Sequence, residues 1–234
     1  MDSQRILRYL SAITANNSRE WYLAHKAEYN IVRADFEHAV ADALARITAF
    51  DPSIAHLTVK DCVYRFNRDT RFSPDKAPYK RHFGAYMAAH GKKALHGGYY
   101  IHLQPGACML ACGCYWLPTN ILTATRNEIM GNIEDWRKIV ESKRFVELFG
   151  RPGDATWDDN DGKGFGNECL KTAPAGFPRD YEFIQYIRMK DYCCWRNVPD
   201  DFFDDPQWLD RMAEIFMVAR PMLDFVNAVI DDYE

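Results

Sequence analysis

The sequence predicts an α+β protein: a single domain with a mainly antiparallel sheet of about four or more strands, on which a long N-terminal and a C-terminal helix pack. Near both ends of the chain, apolar residues recur in steps of three and four, which is typical of helices with one buried face. In the middle, two apolar runs flank a turn, as in a β-hairpin. Apolar residues make up 47% of the 234, enough for a sizeable core, and we expect one domain over 1–234.

The N-terminal region predicts two helices. A short amphipathic helix is expected around Ile6–Ile13. Asn17 with Glu20 three residues later fits a capping box. This box would open one long helix with an apolar stripe over Trp21–Ile47, which the dipeptide Asp51-Pro52 ends.

The central region predicts a strand, a turn, a helix and a hairpin. Apolar and polar residues alternate over 62–67, the period of a strand. Ser73–Lys76 has the composition of a β-turn with proline at its second position, and Tyr79–Ala89 is predicted to be helical. Tyr99–Leu103 and Cys108–Trp116 then form the two strands of an antiparallel hairpin.

The C-terminal region continues with helices and one more strand. The predicted elements are a helix from Pro118 to Gly131, a helix over 133–149, a long Gly- and Asp-rich loop over 150–180, a short helix over Tyr181–Met189, a strand over Tyr192–Val198 and a final helix capped by Asp205.

Charge is unevenly distributed along the chain. The net charge is −4, so no overall field draws the protein to nucleic acid or to anionic lipid. The segment Lys60–Lys93 nevertheless carries nine Lys and Arg against three Asp, a local net of +6, and leaves −10 for the remainder. A basic segment within an acidic protein indicates a site rather than a general surface property.

The sequence predicts a cytoplasmic protein with no membrane partner. The N-terminus lacks the basic and apolar regions of a signal peptide, and no apolar run approaches the length of a membrane span. Seven cysteines, an odd number in a chain of this size, are typical of reduced thiols.

The segment Arg65–Arg81 is the main candidate site. Its cations could converge on a phosphate or carboxylate, because guanidinium groups bind such oxyanions in bidentate fashion and lysine adds a point charge. The predicted ligand-binding residues are Arg65, Arg68, Arg71, Lys76, Lys80 and Arg81. Asp69 and Asp75 are candidates for an acid or base, or they orient the guanidinium groups. The pattern leaves open whether the ligand is only bound or also converted.

Arg19, Glu20 and Lys26 form a second, supporting candidate. They stand at the start of the predicted long helix, where unpaired N–H groups favour anions. Glu20 more commonly serves as a helix cap than as a catalyst.

No metal site is predicted, and the sequence does not identify a cofactor. Cys108, Cys112 and Cys114 share one strand face, but neighbours there lie about 6.6 Å apart along the strand, too far for tetrahedral zinc. The histidines lack ligand spacing. The acidic run Asp158–Asp161 lacks the first carboxylate of a calcium loop.

Several stretches together resemble a widespread family of uncharacterised proteins, known as a domain of unknown function. The matching stretches are N-N-S-R-E-W at Asn16–Trp21, R-D-T-R-F-S-P-D-K-A-P-Y-K at Arg68–Lys80, the hairpin Tyr99–Trp116, the helix around Arg126 and L-K-T-A-P-A-G-F at Leu170–Phe177. The resemblance covers nearly the whole chain in order. It implies a single domain and brings no settled activity.

Two other functions remain open alongside anion binding. In a nucleic-acid-binding module, the cations would follow a backbone while Phe66, Phe72 and Tyr79 stack on bases, although the −10 remainder opposes this. In a structural or protein-interaction domain, the segment would be an internal network of ion pairs. The sequence does not identify the ligand, the partner or the oligomeric state.

Overall fold

The computed structural model describes residues 1–153 and 162–233. These residues form nine α-helices and five strands, which confirms the α+β class and the antiparallel sheet. The strands are β1 (Phe83–Met87), β2 (Gly98–Leu103), β3 (Met109–Cys114), β4 (Lys163–Phe165) and β5 (Tyr192–Asn197). Their order in the sheet is β1-β2-β3-β5-β4. The acidic run Asp158–Asp161 lies outside the described residues.

The helices are distributed along the whole chain. They are α1 (Ser3–Ala15), α2 (Arg19–Ala24), α3 (Lys26–Thr48), α4 (Val59–Cys62), α5 (Thr119–Gly131), α6 (Ile133–Val140), α7 (Lys143–Phe149), α8 (Ile184–Ile187) and α9 (Trp208–Asp231). Short 3₁₀ helices lie at Pro52–Ile54 and Phe202–Asp204. Within the described ranges, no helix combines the length and apolarity needed to cross a bilayer.

The chain divides into two compact units that are interleaved along the sequence. Unit 1 comprises Met1–Lys92, Tyr100–Leu110 and Val198–Ala213, whereas unit 2 comprises Lys93–Tyr99, Ala111–Asn197 and Glu214–Glu234. The single domain over 1–234 stays a prediction.

The core of unit 1 lies under α1 and α3. Six apolar side chains at helical spacing are at most 1% exposed: Ile6, Leu10, Ile13, Val32, Phe36 and Val40. Burying one such side chain stabilises the fold by about 1.5–3 kcal/mol, so this stripe accounts for the position of both helices. At the surface, Arg46 of α3 pairs with Asp210 of α9 at 2.8 Å.

The core of unit 2 is centred on Trp136 of α6, which is fully buried. Its ring lies 5.6 Å from Tyr192 of β5 and 5.1 Å from Phe225 of α9, measured between ring centroids. In the register of β4 and β5, Gly164 faces Trp195. The Trp195 ring comes within 2.0 Å of where a Cβ of Gly164 would be, so only glycine fits there.

Two predicted elements around the candidate site are wrong. The predicted strand over 62–67 is instead the end of α4 followed by an extended stretch with only isolated bridges, among them Val63 with Ala85. The predicted helix Tyr79–Ala89 is instead β1 with non-helical residues on either side of it. In β1, pairing with a distant segment overrides local sequence preference, whereas residues 62–67 pair only at isolated bridges and therefore form no continuous strand.

Other predicted elements need smaller corrections. The predicted long helix is divided at His25 into α2 and α3, and the helix over 133–149 is divided into α6 and α7. The predicted loop over 150–180 contains β4. The hairpin, β5 and the final helix are confirmed, with α9 starting at Trp208, whereas the helix predicted over Tyr181–Met189 is limited to Ile184–Ile187.

Candidate functional site

The basic segment Arg65–Arg81 forms a loop in unit 1 that backbone pairing closes at its neck. Asn67 and Tyr79 form an isolated antiparallel bridge. Two backbone hydrogen bonds of 2.9 Å flank it: Arg68 N–H donates to Pro78 O, and Lys80 N–H donates to Phe66 O. The two ends of the segment are therefore held side by side.

Asn17 attaches this neck to the start of α2. Its Nδ2 donates to the Tyr79 carbonyl and its Oδ1 accepts from the Tyr79 amide, both at 3.0 Å. The predicted capping role of Asn17 is wrong, because the N-cap of α2 is Ser18, whose Oγ accepts from Trp21 N–H at 3.2 Å. Asn17 instead supplies both hydrogen bonds that a neighbouring strand would give Tyr79.

Asp75 organises the interior of the loop. Its Oδ2 accepts from Arg68 Nη1 at 2.8 Å and pairs with Arg81 Nη1 at 3.0 Å, while its Oδ1 accepts from Ala77 N–H at 2.9 Å. Arg68 also donates to Ser73 Oγ at 3.2 Å. The amide of Ala77, followed by Arg68, lowers the pKa of Asp75. Asp75 therefore stays charged and holds two of the six predicted cations.

Arg71, Asp69 and Lys76 form the outer part of the loop. Arg71 binds Asp69 through Nε at 3.0 Å and Nη2 at 2.7 Å, and these bonds lower the pKa of the carboxyl. Lys76 Nζ donates to the Thr70 carbonyl at 3.0 Å. Both cations therefore have partners within the loop itself.

Lys80 and Arg65 differ from these four. Within the described ranges, neither side chain makes a hydrogen bond or an ion pair. The half-buried Lys80 has its Nζ 4.9 Å from the centroid of the Tyr64 ring. Burial first, and then the charges of Arg65 and Arg33, lower the pKa of Lys80. Arg65 is exposed.

The third cation beside Lys80 is Arg33, which does have a carboxylate partner. Its Nε lies 2.6 Å from Glu37 Oε1, and its Nη1 donates to the Tyr64 carbonyl at 3.1 Å. Glu37 is thus the one carboxylate bound to this group of three cations within the described structure.

Two half-buried histidines, His82 and His102, adjoin Lys80, although no sequence motif connects them with the site. Their ring centroids are 4.3 Å apart. His102 Nδ1 lies 2.8 Å from Tyr100 Oη, and its Nε2 lies 3.3 Å from Gln104 Oε1. Tyr100, His102 and Gln104 alternate along β2 and its end, so period-two spacing could have placed them together. His82 falls in the segment predicted as helical, which concealed it.

The supporting candidates lie in α2 and at the first residue of α3, and they play different roles. Arg19 and Glu20 are exposed, and their side chains make no hydrogen bond or ion pair with any described residue. Lys26 Nζ donates to Tyr22 Oη at 2.5 Å and lies 4.4 Å from the Tyr29 ring centroid. Tyr22 in turn stacks on Tyr79 at 4.3 Å.

The aromatic residues of the segment are mostly part of the core. Phe66 and Tyr79 are 4% and 5% exposed, and their rings stack at 5.6 Å between centroids. Phe72 is 94% exposed, beside Arg71. Buried rings cannot stack on bases, so the proposed nucleic-acid platform is reduced to Phe72.

Arg126, from the helix that carries the family resemblance, lies in unit 2. It is 5% exposed, and its Nη2 donates to the Met189 carbonyl at 2.8 Å. Desolvation by burial lowers its pKa. This contact joins α5 to the chain just before β5, which indicates a structural role.

Comparison with known proteins identifies one family. A family model described as "Conserved hypothetical protein (DUF2461)" matches residues 5–225, and this description names no activity. No curated protein and no solved structure matches the chain.

Proposed function

We propose that this chain, which belongs to the DUF2461 family of conserved hypothetical proteins, binds a small anionic ligand of the phosphate class through Lys80 and Arg65. The observation that carries the proposal is the environment of Lys80. A half-buried ammonium group without a carboxylate partner, beside two further cations, is costly in the unliganded protein. An anion would offset that cost.

The other predicted cations support the site indirectly. Arg68, Arg71 and Arg81 are paired with Asp75 or Asp69, and Lys76 is bound to a carbonyl. These contacts fix the loop and hold its neck, where Arg65 and Lys80 lie. The ion-pair network and the ligand site are therefore two parts of one arrangement. Proton transfer by Asp69 or Asp75 stays a prediction.

Titration calorimetry with inorganic phosphate tests this function. Lys80→Gln and Arg65→Gln should each weaken phosphate binding about 10- to 100-fold, because a hydrogen bond from a charged group contributes about 1.5–3 kcal/mol. Lys171→Gln is the matched control, since Lys171 is an exposed lysine in unit 2 without a described partner. It should bind phosphate as the wild type does.

Two results would contradict the proposal. One is the absence of phosphate binding by the wild type at millimolar concentrations. The other is a Lys80→Gln variant that folds normally and binds phosphate with unchanged affinity.

The cytoplasmic location belongs to the same proposal. All seven cysteines lie in the described ranges and are free thiols. Reduced thiols in this number are typical of cytosolic proteins.

A further inference from the structure

The anion site of Lys80 and Arg65 has a neutral neighbour that can change its charge. His82 lies against His102, with 4.3 Å between the ring centroids. In the described structure, neither ring nitrogen of His82 has a hydrogen-bond partner. His82 is therefore a group with unused hydrogen-bonding capacity at the edge of the proposed site.

His102 cannot play the same part, because both of its nitrogens are occupied. Gln104 Oε1 can only accept, so His102 Nε2 carries the proton and donates to it. His102 Nδ1 then accepts from Tyr100 Oη at 2.8 Å. This pair of bonds fixes His102 as the neutral imidazole on which His82 packs.

The charged groups that face the two histidines are cationic. Lys80 acts on both rings, and it is itself flanked by Arg65 and Arg33. Tyr64 and Tyr100 contribute neutral hydroxyl groups, and Glu37 is bound to Arg33. Burial lowers the pKa of His82 to about 3, with His102 and Lys80 adding to the effect. Burial likewise lowers that of His102 to about 4. In the absence of ligand, both rings are neutral at pH 7.

We propose that His82 is a third ligand-binding residue of this site and that it binds a tetrahedral dianion, such as a phosphate monoester, as the imidazolium. This proposal rests on the proposed function. A dianion beside Lys80 offsets the positive field of the three cations, and an opposite charge within about 4–6 Å favours the protonated imidazole. Below the pKa that His82 has in the complex, binding of the dianion then takes up one proton from the solvent. The added proton lies on a ring nitrogen of His82 that has no other hydrogen-bond partner in the described structure. The resulting N–H donates a hydrogen bond to a ligand oxygen.

The consequence is an affinity that rises as the pH falls. A ligand whose binding takes up one proton gains at most about tenfold in affinity per pH unit. Sulfate is the suitable probe, because it remains a dianion between pH 7.5 and pH 5.5. The second pKa of a phosphate monoester lies near 6, so its own titration would obscure that of the protein.

The test is calorimetric titration of the full chain with sulfate between pH 7.5 and pH 5.5, in buffers of different ionisation enthalpy. We expect proton uptake by the wild type and a rise in affinity towards about tenfold per unit at the acid end. His82→Gln should bind sulfate more weakly and lose the part of the pH dependence due to this proton. His102→Gln should retain that dependence, since the His102 ring of the wild type stays neutral and takes up no proton.

Imidazole ¹⁵N spectra of the wild type provide a readout that needs no variant. Sulfate should shift the His82 nitrogens towards the values of a protonated ring and leave those of His102 at neutral values. If sulfate binds but His82 stays neutral, or if His82→Gln retains the full pH dependence, the role of His82 is refuted and anion binding stands. If neither sulfate nor phosphate binds at any pH, both proposals fail.

Discussion

At the scale of single residues, Asn17 is the clearest case of a side chain that replaces backbone. It satisfies the amide and the carbonyl of Tyr79, 62 positions away in the sequence. A buried or half-buried backbone group that loses its partner costs about 1–3 kcal/mol, so this short side chain has a large effect on the loop. A capping-box pattern concealed the role, because Asn17 and Ser18 are both good helix caps.

Replacing Asn17 tests this role. Asn17→Ala should lower the free energy of unfolding by about 1–3 kcal/mol, because both polar groups of Tyr79 lose their partner. Asn17→Asp should lie between the alanine variant and the wild type, since it retains the acceptor. Chemical denaturation provides the measurement.

Asn30→Ala is the control for this substitution. Asn30 is exposed on α3 and makes no described side-chain hydrogen bond, and alanine is the better helix former. A loss of stability in Asn30→Ala equal to that in Asn17→Ala would show that the hydrogen bonds to Tyr79 are not the cause.

At the scale of elements, β1 and β2 are joined by a close approach of Tyr100 to Gly84. A Cβ on Gly84 would lie 2.7 Å from Tyr100 Oη, and the Tyr100 ring follows at 3.1 Å. The Tyr100 hydroxyl group is also hydrogen-bonded to Nδ1 of His102. Glycine at this point of β1 therefore sets the position of a side chain at the candidate site.

Gly84→Ala should destabilise the protein by about 1–3 kcal/mol, because a methyl group forced into a packed strand displaces its neighbours. Tyr100→Phe removes the nearest atom and should relieve part of this loss in the double variant. Gly131→Ala is the control, since nothing lies within 4 Å of its Cβ position at the end of α5. It should gain about 0.4–1 kcal/mol by restricting the unfolded chain.

Thermal or chemical unfolding of the wild type, Gly84→Ala, Tyr100→Phe and the double variant measures the coupling between Gly84 and Tyr100 as a double-mutant cycle. A Gly84→Ala variant as stable as Gly131→Ala would contradict the close approach.

The elements that could be predicted from the sequence are those whose signal is local. The hairpin, β5 and the amphipathic stripes of α1, α3 and α9 depend on periodicity alone. β1 could not be predicted in this way, because Ala and Met favour helices and its strand form depends on partners far along the chain. The division at His25 had no recognised signal, since the apolar stripe continues through it.

The candidate site, like the fold, could be predicted only where its signal is local in the sequence. Composition indicates a cationic segment, but it cannot show which cations are paired. Asp75 pairs with Arg68 and Arg81 because of the shape of the loop, and within the described residues Lys80 and Arg65 form no ion pair. His82 approaches His102 only because β1 and β2 are neighbours in the sheet. Both facts depend on tertiary structure.

At the scale of the whole molecule, the thiols are distributed between interior and surface. Six of the seven cysteines are buried, and only Cys169 has intermediate exposure. Burial raises the pKa of Cys62 to about 11 and those of Cys108 and Cys114 to about 12. Because the thiolate is the reactive form, these three groups are protected by both inaccessibility and protonation.

Thiol titration with a coloured disulfide reagent follows from this distribution. In the native protein, Cys169 should react before the other six thiols at mildly alkaline pH because it is the least buried, even though burial raises its pKa too, and all seven should react after denaturation. Cys169→Ser should remove this first phase. A first phase of two or more thiols, or one that survives in Cys169→Ser, would show that the buried cysteines are accessible in solution.

The interleaving of the two units has a consequence for synthesis. Each unit is assembled from three separate stretches, and unit 1 receives its last stretch, Val198–Ala213, only after most of unit 2 has been translated. Domains commonly fold in order as they leave the ribosome. Here the loop of Arg65–Arg81 is synthesised early, but its unit is complete only after residues more than a hundred positions later have been translated. Neither unit can be expressed as one continuous fragment, and a gene cut at any single point would divide at least one of them.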